Sequence, residues 1–221
     1  MNTTAKHPKP VSPSRARRDR EKSETRRLIL EAARELFTTE GYSQTSMRRI
    51  ADQIGYTATA IYHHFQDKDA LLNELCAVDF SALGEALRQM DQIPDPILRI
   101  RLMGQNYVKF ALSHPQQFRF MFMVDRPIPG PECVTIDPTE DGYAFLLHNV
   151  KEGLELGLFR AEYTDAEMLA QMLWAGVHGL AAIHMISSVK LHPWLDLRDP
   201  GEPAELLTDV VIRGVLRNPA N

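Results

Sequence analysis

Apolar residues recur at steps of three and four along most of the chain, the period of helices that bury one face. Over residues 23–40, Leu28, Ala32, Ala33, Leu36 and Phe37 share one side, and Gly41 ends the helix as its C′ residue. Thr45 stands where an N-cap would open a short second helix, 46–53, whose Met47, Ile50, Ala51 and Ile54 continue the buried stripe. Gly55 makes the turn. Thr57 is placed to cap a third helix, 58–65, in which Ile61 and Phe65 lie one turn apart toward the core, and Asp67 to cap a fourth from Lys68.

The fourth helix is expected to run to about Met90, and the prolines that follow it break the pattern. Residues 96–113 and 115–124 read as a fifth and sixth helix, each with proline in its first turn. A proline-rich loop, 125–138, precedes a seventh helix that Gly157 closes. Thr164 or Asp165 caps an eighth near 165–188, and Pro203 opens a last one that fades at Asn218. The expected fold is therefore all-α with about nine helices. A basic arm, 1–22, rich in Pro, Ser, Lys and Arg, is expected to be disordered; a helical domain follows over 23–72 and a larger one over 73–221.

The eighth helix is apolar nearly all round, which means burial on both sides. One face carries Met168, Met172, Ala175, Gly179, Ala182 and Ile186, small in its middle, as a helix needs when another approaches closely. The polar Gln171, His178 and His184 and the acidic flank at Asp165 and Glu167 argue against a membrane span. This face is read as a homodimer interface, packed with the final helix across a two-fold axis.

Charge sharpens the division. Residues 1–68 carry a net +5 and residues 69–221 a net −9, so the overall −4 hides a basic N-terminal third. That is the footprint of a nucleic-acid-binding end. The two cysteines, Cys76 and Cys133, offer no metal or disulfide spacing, and no apolar leader is read at the N-terminus; a reducing, cytoplasmic setting is the default.

On the third helix the outward residues are Thr57, Ala58, Thr59, Tyr62 and His63, short and polar at the end where a recognition helix meets base edges. Ala33 and Phe37, Gly41, Thr45, Ile50 and Ala51, Gly55, Tyr62, His64 and Phe65, and Lys68 followed by Leu71 together resemble the DNA-binding domain of the TetR/AcrR family of bacterial regulators. The resemblance spans roughly residues 24–75; Tyr56 and Thr59 depart from the family's usual small aliphatic residue and glycine. It implies that Thr45, Tyr62, His64 and Lys68 hold phosphates while Thr57, Ala58, Thr59 and His63 face bases, and Arg48 is counted with this surface. A lysine opposes the dipole at a helix start, so Lys68 is easier to explain as a phosphate contact than as a stabilising charge. A solvated lysine is the plainer alternative, as a half-buried aromatic is for Tyr62. His63 and His64 diverge by about 100° on a helix and lack a third ligand nearby, so no metal is expected. Arg15, Arg17, Arg18 and Arg20 of the arm read either as a solubility tail or as minor-groove contacts.

Trp174, Val177, His178 and Gly179, with residues 106–122, resemble a Trp…His-Gly (WHG) subgroup of the same family's C-terminal domains. That implies a dimer with a ligand pocket among its helices. Candidate pocket residues are Tyr107, Phe110, Phe118, Met121, Phe122, Phe145, Met172 and Trp174, with His148 and His178 as polar anchors, although most such residues at helical spacing are plain core. Nothing resembles a P-loop, a nucleophile elbow, HExxH or Rossmann glycines, so no enzyme and no cofactor are expected. The expected function is a regulator, most often a repressor in this family, that binds a pseudo-palindromic double-stranded operator as a homodimer. A small lipophilic or aromatic effector would release it. The competing reading is an effector-independent or architectural DNA-binding protein, which would have a filled second core.

Overall fold

The computed structural model describes residues 13–127, 141–187, 199 and 201–217. Among them are nine helices: α1 (Pro13–Thr39), α2 (Met47–Gln53), α3 (Ala58–Tyr62), α4 (Lys68–Arg88), α5 (Pro96–Ser113), α6 (Pro115–Phe122), α7 (Gly142–Glu155), α8 (Ala166–Ser187) and α9 (Gly201–Val215). The only strand-like pairing among the described residues is an isolated antiparallel bridge between Phe159 and Leu216. The chain separates into two compact units between Leu71 and Leu72.

In the first unit, Ile29, Ala33, Leu36 and Phe37 of α1 are buried with Ile50, Ala51 and Ile61. Gly55 lies at φ +72° and closes α2: Tyr56 N–H donates to the Ala51 carbonyl at 2.9 Å and Gly55 N–H to the Asp52 carbonyl at 3.3 Å. These are the two bonds of a Schellman end, and a side chain at Gly55 would be strained whatever space it found. Ser46, not Thr45, caps α2, its oxygen accepting from Arg49 N–H at 3.1 Å. Thr57 caps α3 and Asp67 caps α4, accepting from Ala60 N–H at 3.2 Å and Ala70 N–H at 2.7 Å.

Helix α1 begins at Pro13, so residues 13–22 are helical where a disordered arm was expected. Proline suits a first helical turn, and alternating arginine and glutamate supply pairs one turn apart, such as Arg17 with Glu21 at 2.7 Å. Residues 1–12 lie outside the described residues, as do residues 128–140, which hold most of the proline-rich loop and Cys133.

In the second unit, α5 packs against α6, α7, α8 and α9. One buried cluster joins Leu83, Leu87, Met103, Phe118, Phe145 and Val177, and a second joins Ile100, Val150, Phe159, Leu169 and Ile212. Gly104 allows a close approach: a Cβ there would stand 2.6 Å from Thr208 Cγ2 of α9. Asp141 and Asp165 cap α7 and α8. No described helix is long and apolar enough to cross a membrane.

Candidate functional site

Two features of the second helix pair present side chains outward. With Ile61 fully buried, α3 turns Thr57, Thr59, Tyr62 and His63 to solvent, Tyr62 with 54% of its surface exposed, while Ala58 is half-buried. Arg48 of α2 is exposed as well. Short polar groups around an aromatic hydroxyl, at the start of a capped helix, can donate to and accept from base edges and phosphates.

Three of the residues assigned to phosphates are placed differently. Thr45 is 1% exposed, and its hydroxyl donates to the Gly41 carbonyl at 2.8 Å, so it braces the α1–α2 turn and offers no side-chain donor to DNA. Lys68 donates to the carbonyls of Tyr42 at 2.9 Å and Thr45 at 3.0 Å, and its ammonium lies 4.1 Å from the Tyr42 ring centroid. Its opposition to the helix dipole is thus offset by main-chain acceptors and an aromatic face. His64 is half-buried, and its Nδ1 has no partner. Burial, then the charges of Arg26, Lys22 and His63, hold its imidazole below the usual histidine range and so neutral.

Two groups that periodicity did not reveal hold this face in shape. Arg26 lies 4.2 Å over the Phe65 ring and donates to the His64 carbonyl at 2.7 Å, tying α1 to the turn after α3. The Tyr42 hydroxyl donates to Asp69, and burial, reinforced by that carboxylate, raises the phenol well above its usual range. Both link residues distant in sequence.

The second unit contains a cavity of about 670 Å³ between α4, α5, α7, α8 and α9. That volume suits a drug-sized molecule. Of the ten residues expected to line it, Tyr107, Phe122, Trp174 and His178 do so. Phe110, Phe118, Met121 and Phe145 are buried in the core beside it; His148 is exposed on α7, and Met172, 49% exposed, points outward from α8. The rest of the wall is supplied by residues such as Phe80, Met103, Tyr143, Leu146, Gln171 and Thr208. The mid-helix Gly104 was a sequence signal only for the close contact with α9 at Thr208, since glycine there costs about 1 kcal/mol relative to alanine unless close approach requires it.

The polar feature of the wall centres on His178. Trp174 packs against the His178 ring, with centroids 5.2 Å apart. The Tyr107 hydroxyl is 2.7 Å from His178 Nδ1. The bond is made in either tautomer of His178, with the hydroxyl or the ring N–H as donor. Burial keeps His178 below the usual histidine range and raises Tyr107 above the usual phenol range. With Tyr107 the imidazole forms a hydrogen-bonding pair in an otherwise largely apolar wall.

On the outer side of α8, Met168 is 59% exposed, Ala175 is exposed, and Ala182 is half-buried. Gly179 has nothing within 4 Å of where a Cβ would stand, and with Ala175 it also borders the cavity. Leu206 and Val210 of α9 are 64% and 58% exposed. The side chain of Ile186 lies outside the described residues. Among the described residues, no group of three His, Cys, Asp or Glu is placed to hold a metal ion.

Residues 29–75 match the model of the bacterial regulatory proteins of the tetR family, and residues 100–210 match that of the tetracyclin repressor-like C-terminal domain. The HTH-type transcriptional regulator AcrR of Shigella flexneri is 41% identical over 83 residues, 37% of this chain and 39% of that protein. The HTH-type transcriptional repressor AcnR of Corynebacterium diphtheriae is 36% identical over 69 residues, 31% of this chain and 36% of that protein. The chain thus spans about two-fifths or less of the length of these curated relatives. A TetR family transcription regulator from Marinobacter aquaeolei VT8 shares the fold, with a TM-score of 0.71 at 21% identity over 92% of this chain and all of its own.

Proposed function

Because the chain belongs to the tetR family of bacterial regulatory proteins, we propose that it is a cytoplasmic transcriptional repressor that binds a pseudo-palindromic operator as a homodimer and is released by a small, largely apolar effector. The family is one of transcription regulators, not enzymes. The observation that carries the reading is the capped α3, with Ile61 buried and Thr57, Thr59, Tyr62 and His63 facing out. One such helix offers few base-reading groups, so a two-fold pair spaced by about 34–36 Å is needed for specificity.

The stripe of Met168, Met172, Ala175 and Gly179, beside Leu206 and Val210, supports dimerisation through α8 and α9, since water-exposed apolar area of this kind gains by being covered. The cavity favours an effector over the architectural alternative, which called for a filled core. His178 adds a chemical detail: an effector with a hydrogen-bonding group can meet the imidazole that Tyr107 orients. Membership of the Trp…His-Gly subgroup is proposed on Trp174, His178 and Gly179 themselves.

Release requires the effector to prefer a form of the dimer that fits DNA poorly, and DNA must then weaken effector binding by the same factor. The test is a set of lipophilic compounds that bear a hydrogen-bonding group, assayed by thermal shift and by release of a selected operator. Compounds that stabilise the protein and free the DNA are expected, with Tyr107→Phe and Trp174→Ala altering the response while leaving ligand-free operator affinity within about twofold. A protein that binds operator only as a monomer, or that no compound displaces, overturns the corresponding half.

A further inference from the structure

The face of α1 that is apolar at Ile29, Ala33 and Phe37 continues toward the N-terminus as Arg26, Lys22, Arg18 and Arg15, at the same three- and four-residue spacing. Helix α1 starts sixteen residues before Ile29, its first buried residue, so about 24 Å of helix precede the core. An overhanging core face would ordinarily be shortened or left neutral. Here it is cationic.

The stripe is aimed by Arg26, which sits over Phe65 and donates to the His64 carbonyl at the exit of α3. One turn earlier, Lys22 is close enough for its charge to act on the His64 imidazole. Tyr62 and His63, exposed on α3, immediately precede that turn. The other faces of α1 are treated differently: Arg17 pairs with Glu21 at 2.7 Å, and Arg27 pairs with Glu24 at 2.6 Å and Glu31 at 2.5 Å. Arg18 and Lys22 are exposed and have no ion pair among the described residues, although Asp19 flanks them. Arg17 and Arg27 are thus neutralised by glutamates one turn away, whereas Arg18 and Lys22, on the side that Arg26 ties to the α3 exit, are not.

We propose that Arg18 and Lys22 form a second phosphate-binding edge, by which the projecting turns of α1 grip the duplex backbone beyond the stretch read by α3. This rests on the DNA-binding reading above and adds to it a contact outside the helix-turn-helix. The partner is the phosphate backbone of double-stranded DNA, with no base preference expected, because both groups are long, solvated cations on an exposed helix face.

The experiment compares the full chain with Arg18→Gln/Lys22→Gln, measuring affinity for a selected operator and for unrelated duplex at several salt concentrations. Each phosphate contact contributes about 0.9 to the log–log salt slope, so losing two per protomer lowers the slope of a dimer by between three and four. Between 50 mM and 200 mM salt the variant's affinity then falls by about 100-fold less than that of the unsubstituted protein, for operator and unrelated DNA alike. Arg17→Gln, which removes a cation paired with Glu21, is expected to change the slope by less than one, and Arg18→Lys/Lys22→Arg to restore it. Helical content by circular dichroism is expected to be the same for all. If the unsubstituted protein binds no DNA, the functional reading fails. An unchanged slope in Arg18→Gln/Lys22→Gln, or an equal loss in Arg17→Gln, overturns this proposal alone, and a loss confined to operator overturns the backbone assignment in favour of base reading.

Discussion

His178 is bonded to a buried phenol and is itself withdrawn from solvent, and this has a measurable consequence. The folded state resists protonating His178, and likewise His64, because burial disfavours their charged forms. The unfolded imidazole takes up a proton near pH 6.5. Stability is therefore complete above about pH 6.5 and is lost as pH falls below it, where the unfolded state binds the extra protons. Thermal midpoints of the parent and of His178→Gln are expected to diverge above that pH and approach each other below it; parallel curves would show that His178 titrates freely in the folded state. Lys68 gives a second test. Its two main-chain bonds predict that Lys68→Ala costs about 1–3 kcal/mol of stability in the DNA-binding unit, read by denaturant unfolding, in place of a selective loss of phosphate contact. The sequence could not disclose this, since Lys68 meets carbonyls 26 and 23 residues away, whereas Ile61 and Thr57 owe their placement to neighbours within one turn.

At the level of elements, local chemistry was legible and closure was not. Gly41, Gly55 and Gly157 stand at positive φ where they end helices, and Asp67 and Asp165 cap the helices they precede. The start of α1 was missed because its basic composition resembles a disordered tail, while its one-turn charge pairs favour a helix. Little of the cavity wall was legible: Tyr107, Phe122, Trp174 and His178 stand out as bulky or polar on helices, but Gln171 and Thr208 look like ordinary surface positions until α8 and α9 meet α5. Glycines inside helices have two uses that sequence merges: Gly104 of α5 is a tight contact inside the unit, whereas Gly179 of α8 has open space beside it at the cavity's edge. Gly179→Leu is therefore expected to leave helical content intact yet reduce dimerisation and operator binding together, by tenfold or more, in sedimentation and fluorescence anisotropy. A fully dimeric variant would move the interface off this face.

For the molecule as a whole, a basic N-terminal part and an acidic remainder share one chain, and each compact unit carries its own buried stripe. What no period announces is how the second unit ends. Beyond α7, the Arg160 N–H donates to the Val215 carbonyl at 3.0 Å, and the Arg217 N–H donates to the Leu158 carbonyl at 2.8 Å. Through this bridge, the segment entering α8 and the segment leaving α9 close on each other. In hydrogen–deuterium exchange the end of α9 should not be the first part to give way, contrary to the usual fraying of terminal helices. The amides of Arg160 and Arg217 are expected to exchange at the same rate as those of the α8–α9 pair, as one opening event. The two helices proposed to meet a partner would then be gained or lost as a single cooperative block.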